Sequence, residues 1–312
     1  MTSNIETKIL SSLYGLAIGD AVGRLYEFKL PSMIPPYELI DIFPPEGFHP
    51  TYPDVPIGTW TDDTAQTLAL LDSLNHYPEL NLDDFSTRLL QWLNTGAYTP
   101  DGIVFDIGIQ TLQALNNIQN GYLPEHAGNN SEFANGNGSL MRCLPIVFHH
   151  HDSIEKLVRI AIKQSLPTHP HPRSGVCCAL YCLQARELLY GNAYKSPDAF
   201  EVLISKYLTE AEKQELDIIL NAPQRQNPTG SGYVVDSLWS VDSVIKDGDT
   251  YEDVVKFSIM LGNDTDTTAA IAGGLAGMKF GIEGISDRWV QTLQGQERIE
   301  ELLPDFRLQI PT

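Results

Sequence analysis

Asn263-Asp264-Thr265-Asp266-Thr267-Thr268-Ala269-Ala270-Ile271-Ala272-Gly273-Gly274-Leu275-Ala276-Gly277 opens on acids and hydroxyls and runs straight into alanine and glycine. Side chains this small suit a helix buried against its neighbours, so the carboxylates at its start are drawn toward the interior. A buried carboxylate needs a cation or hydrogen bonds to offset the water it has lost. Thr61-Asp62-Asp63-Thr64, far upstream, has the same form and leads into an apolar-periodic run with Leu68, Leu71 and Leu74. Taken singly, either motif reads as a helix N-cap with acid at the positive end of the macrodipole. Together, Asp62, Asp63, Asp264 and Asp266 with the hydroxyls of Thr61 and Thr267 could ligate a pair of hexacoordinate ions, with water completing each shell. Oxygen-only donors of this kind select Mg²⁺ or Mn²⁺ over Zn²⁺.

Outward from these motifs, helical periodicity dominates. Ile9, Leu13, Leu16 and Ala17 mark an apolar stripe, and Gly15, Gly19 and Gly23 at four-residue spacing share one helix face that another backbone can approach closely. Further helices are predicted over 65–74, 85–93, 107–115, 154–162, 176–189, 234–244, 251–260 and 267–279. Eight prolines between 31 and 56 exclude a regular helix there, and the Asn/Gly-rich stretch 125–137 predicts an irregular loop. Alternating runs are few and short, and there is no internal repeat or long linker. The expectation is an all-α protein, with 1–312 as one compact multi-helix domain.

The bulk numbers agree. Of 312 residues, 42% are hydrophobic, enough for a large core. Forty acidic residues against 20 basic give a net charge of −20, which argues against a nucleic-acid-binding face, since phosphate neutralisation needs clustered Lys and Arg. Most of this excess is expected to serve surface solubility. The apolar run 271–280 is too short to span a bilayer. The first residues lack a basic region followed by an apolar one, so no secretory leader is expected. Cys177, Cys178 and Cys182 crowd into one predicted helix, which with Cys143 reads as buried thiols in a reducing cytoplasm.

Other clusters carry chemistry. Asn135-Gly136-Asn137-Gly138-Ser139-Leu140-Met141-Arg142 exposes backbone N–H groups able to hold an anion such as phosphate. Arg142 would either supplement that or pair with a local carboxylate. Gly230-Ser231-Gly232-Tyr233-Val234-Val235-Asp236 pairs a flexible turn with an aromatic that could stack on a base or sugar, or equally sit in the core. Thr168-His169-Pro170-His171-Pro172 places two imidazoles in a rigid turn, and His149-His150-His151 reads as a solvated loop.

With these motifs in view, the chain resembles the ADP-ribosylglycohydrolase family, nearly from end to end. Gly15-Leu16-Ala17-Ile18-Gly19-Asp20-Ala21-Val22-Gly23, with Glu27 after it, is similar to the family's opening helix. Gly58-Thr59-Trp60-Thr61-Asp62-Asp63-Thr64, Phe105-Asp106-Ile107-Gly108, the Asn/Gly loop, Thr168-His169, Gly232-Tyr233-Val234-Val235-Asp236 and Gly262-Asn263-Asp264-Thr265-Asp266-Thr267 follow in the family's order. The resemblance implies an ADP-ribosylglycohydrolase-like orthogonal bundle. It implies two Mg²⁺ (or Mn²⁺) on Thr61, Asp62, Asp63, Asp264, Asp266 and Thr267. Glu27 and Asp106 would be the catalytic carboxylates of the same cleft, with Asp106 the first candidate for general base. Asn135, Gly136, Asn137, Gly138, Ser139, Met141, His169, Gly232 and Tyr233 would hold the diphosphate and nearby sugar. Arg24-Leu25-Tyr26 is bulkier than the pattern leads one to expect and would narrow the substrate entrance.

The implied activity is hydrolysis of the N-glycosidic bond of ADP-ribosyl-arginine. The implied partner is an ADP-ribosylated protein or a small ADP-ribosyl compound, with no nucleic acid and no membrane. A monomer is the working expectation, which no motif decides. Three rivals stand beside this. Asp264-Thr265-Asp266-Thr267-Thr268 fits the D-x-D-x-T pattern of aspartate-nucleophile phosphatases, but only residues 269–312 follow it and no parallel-sheet pattern surrounds it. A non-catalytic, crystallin-like relative is opposed by six intact ligand positions. Another acceptor, ADP-ribosyl-guanidine or ADP-ribosyl-serine, is left open.

Overall fold

Small residues and well-placed caps account for most of the architecture. The computed structural model describes residues 2–307, and the side chains of 4–303. The first half holds α1 (Thr2–Gly23), α2 (Asp62–His76), α3 (Leu82–Thr95), α4 (Ile109–Gln119), α5 (Pro145–His150), α6 (Ile154–Lys163) and α7 (Pro172–Leu189). The second holds α8 (Glu201–Ile204), α9 (Glu210–Leu220), α10 (Val234–Asp247), α11 (Tyr251–Met260), α12 (Thr265–Phe280), α13 (Asp287–Thr292) and α14 (Gln296–Arg307). No strand forms among the described residues; Gly136 and Tyr233 make an isolated antiparallel bridge. The chain is thus a single compact all-α domain, as predicted.

Caps set the boundaries. Asn81 accepts from the backbone N–H groups of Asp83 and Asp84 to start α3, and Gly96, at φ 70°, ends it in the left-handed region. Thr209 with Glu212, and Thr250 with Asp253, close reciprocal capping boxes at α9 and α11.

The helix pair that positions the site is α1 against α12. A Cβ on Gly15, Gly19 or Gly23 would drive into the carbonyls of Gly273, Ala269 and Thr265 respectively. The two backbones therefore touch along one face, as the glycine spacing predicted. Thr265 Oγ1 donates to Gly23 O at 2.7 Å, and Tyr251 Oη to Gly15 O at 2.6 Å, pinning the crossing. This contact delivers the acidic start of α12 beside the end of α1, where Glu27 follows.

Two expectations are corrected. His149-His150-His151 is no solvated loop: the first two end α5, and buried His150 places Nε2 2.7 Å from Pro78 O. Arg24, Leu25 and Tyr26 are buried rather than at an entrance. α9 went unpredicted because its run of Glu, Lys and Gln leaves a weak apolar stripe, although the Thr209 box was there to read. All four cysteines are free and buried. Among the described residues no helix is long and apolar enough to cross a membrane.

Candidate active site

The start of α2 is capped from another helix. Asp20, on α1, accepts the backbone N–H of Thr61 (3.0 Å) and of Thr64 (3.0 Å), and the Thr64 hydroxyl (2.6 Å). Thr61 Oγ1 accepts the Asp63 N–H at 3.3 Å. With those donors met, Asp62 and Asp63 turn elsewhere. Thr267 Oγ1 donates to Asp63 Oδ2 at 3.2 Å across 204 residues of sequence, so the two acidic motifs converge. Asp264 leaves its own helix uncapped and takes Asn137 Nδ2 at 2.8 Å instead. Glu27, Asp264 and Asp266 each offer an oxygen, all within 4.8 Å of one another.

Such crowding makes ionisation costly. Burial first, then the charges of Asp106, Asp264, Asp62 and Asp20, push the Glu27 carboxyl up to about 10. Asp62, Asp63 and Asp266 are held well above the carboxylate range, burial again leading. Asp106 rises only to about 6: burial and Asp264 raise it, while the Ile107 N–H and the Tyr52 hydroxyl favour its ionised form. Buried Glu27 Oε2, Asp63 Oδ1 and Asp266 Oδ1 have no hydrogen-bond partner. An acidic, oxygen-only, dehydrated donor set with lone pairs left over fits a hard divalent cation. Arg24 lies close enough to feel Asp20, Asp266 and Glu27, yet it spends Nε on Thr59 O and Nη2 on Pro56 O, both at 3.0 Å.

Two loops form the facing wall. Asn137 N–H donates to Gly232 O (3.0 Å) and Val234 N–H to Asn135 O (2.9 Å), while Asn137 Nδ2 also reaches Ser237 Oγ (3.0 Å). The resulting cleft has a volume of about 340 Å³. Of the residues expected from sequence, Glu27, Asp62, Asp106, Asp264, Asp266, Thr267, Gly136, Asn137, Gly138, Met141, His169 and Gly232 line it.

The others are not on the lining. Thr61 and Asp63 support the acids from beneath, through the bonds already given. Asn135 is occupied by Glu132 O and Ser174 Oγ, and Ser139 is fully buried. Tyr233, half-buried, accepts from Arg173 Nη1 at 3.2 Å through its hydroxyl and is not on the cleft lining. Arg142 is wholly buried and holds Gln66, Gln164 and Thr168 rather than an anion or a carboxylate. Sequence reading missed Phe28, Gln110 and Thr111 on the lining, and Tyr52 beside Asp106. It quoted Asp20 without a role. Only its partners, on another helix, reveal one.

A family model described as ADP-ribosylglycohydrolase matches residues 1–311. The chain is 29% identical over 301 residues to "ADP-ribosylarginine hydrolase Tri1" of Serratia proteamaculans, covering 95% of this chain and 77% of that one. It is 26% identical over 295 residues to "ADP-ribosyl-[dinitrogen reductase] glycohydrolase" of Rhodospirillum rubrum, covering 93% and 91%. A solved structure titled "ADP-ribosylglycohydrolase-related protein complex" superposes with a TM-score of 0.77 at 25% identity, over 99% of this chain and 100% of that one.

Proposed function

The chain belongs to the ADP-ribosylglycohydrolase family, and from that premise we propose that it hydrolyses the N-glycosidic bond of ADP-ribosylated arginine, with two Mg²⁺ or Mn²⁺ ions as cofactors. The observation that carries the reading is the Thr267–Asp63 contact, which joins the two acidic helix starts at the floor of one cleft. The arginine preference is supported by the names of the relatives and by the resemblance of Phe105-Asp106-Ile107-Gly108 to the arginine-directed branch.

Thr61, Asp62, Asp63, Asp264, Asp266 and Thr267 would hold the ions; the partnerless oxygens of Asp63 and Asp266 support this. Divalent ions bound there would orient the ribose hydroxyls and balance the acids' charge. Asp106 is the general base. Pushed to about 6, it is mostly ionised at neutral pH yet basic enough to take a proton from water. The water oxygen bonds to C1 of the distal ribose as the C1–N bond breaks and its electron pair returns to nitrogen. The proton held by Asp106 then passes to the departing guanidine. Glu27 faces the same space; divalent ions bound beside it would return its carboxyl to the ionised form, in which it stabilises positive charge growing on the sugar ring. Gly138 and Gly232 would offer backbone N–H donors to the diphosphate side, with Gly136 leaving room beside them. Asn137, its donors spent on Gly232 O, Asp264 Oδ2 and Ser237 Oγ, holds the loop in place.

Incubation with Mg²⁺ and matched ADP-ribosyl-arginine and ADP-ribosyl-serine peptides, followed by mass spectrometry, tests this. Release of ADP-ribose from the arginine peptide, abolished by EDTA, is expected. Preferential cleavage of the serine peptide would reassign the acceptor, and cleavage of neither would end the proposal.

A further inference from the structure

A guanidinium has donors and no acceptor, so every group it touches must accept. Arg142 is fully buried. Its Nε donates to Gln164 Oε1 (3.0 Å), its Nη1 to Gln66 Oε1 (2.8 Å), and its Nη2 to Gln164 O (3.1 Å) and Thr168 Oγ1 (2.8 Å). Gln66, with its oxygen so engaged, turns Nε2 onto Asp62 Oδ2 at 2.8 Å. Thr168, its oxygen likewise engaged, has one hydroxyl hydrogen left to place. The remaining side-chain partner recorded for that oxygen is His169 Nδ1, at 2.8 Å. Nδ1 therefore accepts, and the ring proton sits on Nε2.

The Nε2 edge faces the glycine loop: a Cβ added to Gly138 would lie 2.8 Å from His169 Cε1 and 3.3 Å from Nε2, and one on Gly136 3.4 Å from Nε2. Both glycines and His169 line the cleft. Burial, with the Arg142 charge second, lowers the imidazole pKa to about 3, so the ring is uncharged at neutral pH.

We propose that Arg142 is a positioning residue which, through Thr168, fixes His169 as its Nε2–H tautomer and gives the cleft a permanent hydrogen-bond donor beside Gly136 and Gly138. On the reading given under Proposed function, that donor serves an oxygen of the ADP-ribosyl group. An uncharged donor does this without forming an ion pair with the nearby acids, and without titrating in the working range. The same guanidinium aligns Gln66 on Asp62, so one fixed charge sets hydrogen-bond direction at both the glycine loop and the acidic floor.

The test is ring ¹⁵N NMR of histidine-labelled full-length protein, with His169 assigned by difference from His169→Gln. It is paired with calorimetric titration of ADP-ribose into wild type, Thr168→Val and Thr168→Ser. In Thr168→Val, Arg142 Nη2 retains Gln164 O, so the fold is not left with a stranded charge; a thermal melt checks it. The wild-type ring should show a protonated Nε2 and a hydrogen-bonded, unprotonated Nδ1. Thr168→Val should lose the Nδ1 hydrogen-bond signature and weaken ADP-ribose about tenfold, a change of about 1.4 kcal/mol. Thr168→Ser should restore both. A wild-type ring protonated on Nδ1, or a Thr168→Val protein with unaltered ring shifts and affinity, would overturn the proposal. The ring spectrum is recorded without ligand, so failure of wild type to bind ADP-ribose would count against the ADP-ribosyl reading alone.

Discussion

On the proposed reading, Asp266 is the single residue at which stability is most plainly set aside for cation binding. Its side chain is 1% exposed, Oδ1 lacks a partner, and Glu27 and Asp264 crowd it. Without a cation it is a liability, because burial and like charge both oppose its ionised form. Asp266→Asn should therefore raise the stability of the EDTA-treated protein by about 1 kcal/mol or more, while removing the gain that Mg²⁺ confers on wild type. Urea unfolding with EDTA and with Mg²⁺ measures both, and a mutant less stable in EDTA that still gained from Mg²⁺ would contradict the assignment. Asp106 differs: half-buried, and supported by the Tyr52 hydroxyl and the Ile107 N–H. Asp106→Asn should cut kcat by about 10²–10⁴-fold, the usual worth of a general base, with divalent affinity little changed. A loss confined to KM would instead make Asp106 a binding group.

At the scale of helices, the α1–α12 crossing is the element contact on which the site depends. Gly19→Ala puts a methyl into the Ala269 carbonyl, backbone against backbone, with nothing flexible to yield. A loss of about 3 kcal/mol or more is expected, together with loss of divalent binding as Glu27 parts from Asp266. Gly47→Ala is the matched control: open space surrounds it, but its φ of 84° makes alanine strained, so a cost of about 1 kcal/mol is expected. Comparable losses for the two in thermal melts would show that helix contact is not the determinant. That another backbone would pack on the Gly15, Gly19 and Gly23 face was legible in the sequence because one period carried it. The alanine–glycine run of α12 was legible as a buried helix; that the two are partners was not. The acidic starts were legible for a similar reason, since Asp and Thr before an apolar run mark a helix beginning. What stayed hidden depended on partners remote in sequence. Asp20 resembles any polar residue on a helix until Thr61 and Thr64 are seen to donate to it. Gln110 gains meaning only where its Nε2 bridges Ala134 O and Thr168 O. Tyr52 came from a proline-rich stretch with no period to read, and His150 was misjudged because its partner, Pro78 O, lies on another segment.

Across the whole molecule the acid excess has two parts. Most carboxylates lie on the surface, as the net charge of −20 suggested, but Asp20, Glu27, Asp62, Asp63 and Asp266 are buried together. Surface acids are screened by salt, whereas buried ones link folding to pH. The sign follows from the direction of the shifts. Each raised group has a folded pKa above its unfolded value of about 4. Its favourable contribution is therefore full below about pH 4 and is lost as pH rises through the folded values, about 6 for Asp20 and Asp106 and about 10 for Glu27. Metal-free protein should thus become progressively less stable from pH 5 to pH 9. Divalent cations bind the ionised carboxylates and must displace protons at low pH, so their stabilising effect has the opposite trend. The difference in melting temperature between Mg²⁺-saturated and EDTA-treated protein should be small at pH 5 and widen steadily to pH 9. At a hundredfold excess over Kd, near neutral pH, it should correspond to about 2.7 kcal/mol. Scanning calorimetry at fixed ionic strength across that range measures it. A difference that is flat with pH, or largest at pH 5, would mean that these buried acids are not the cation's ligands.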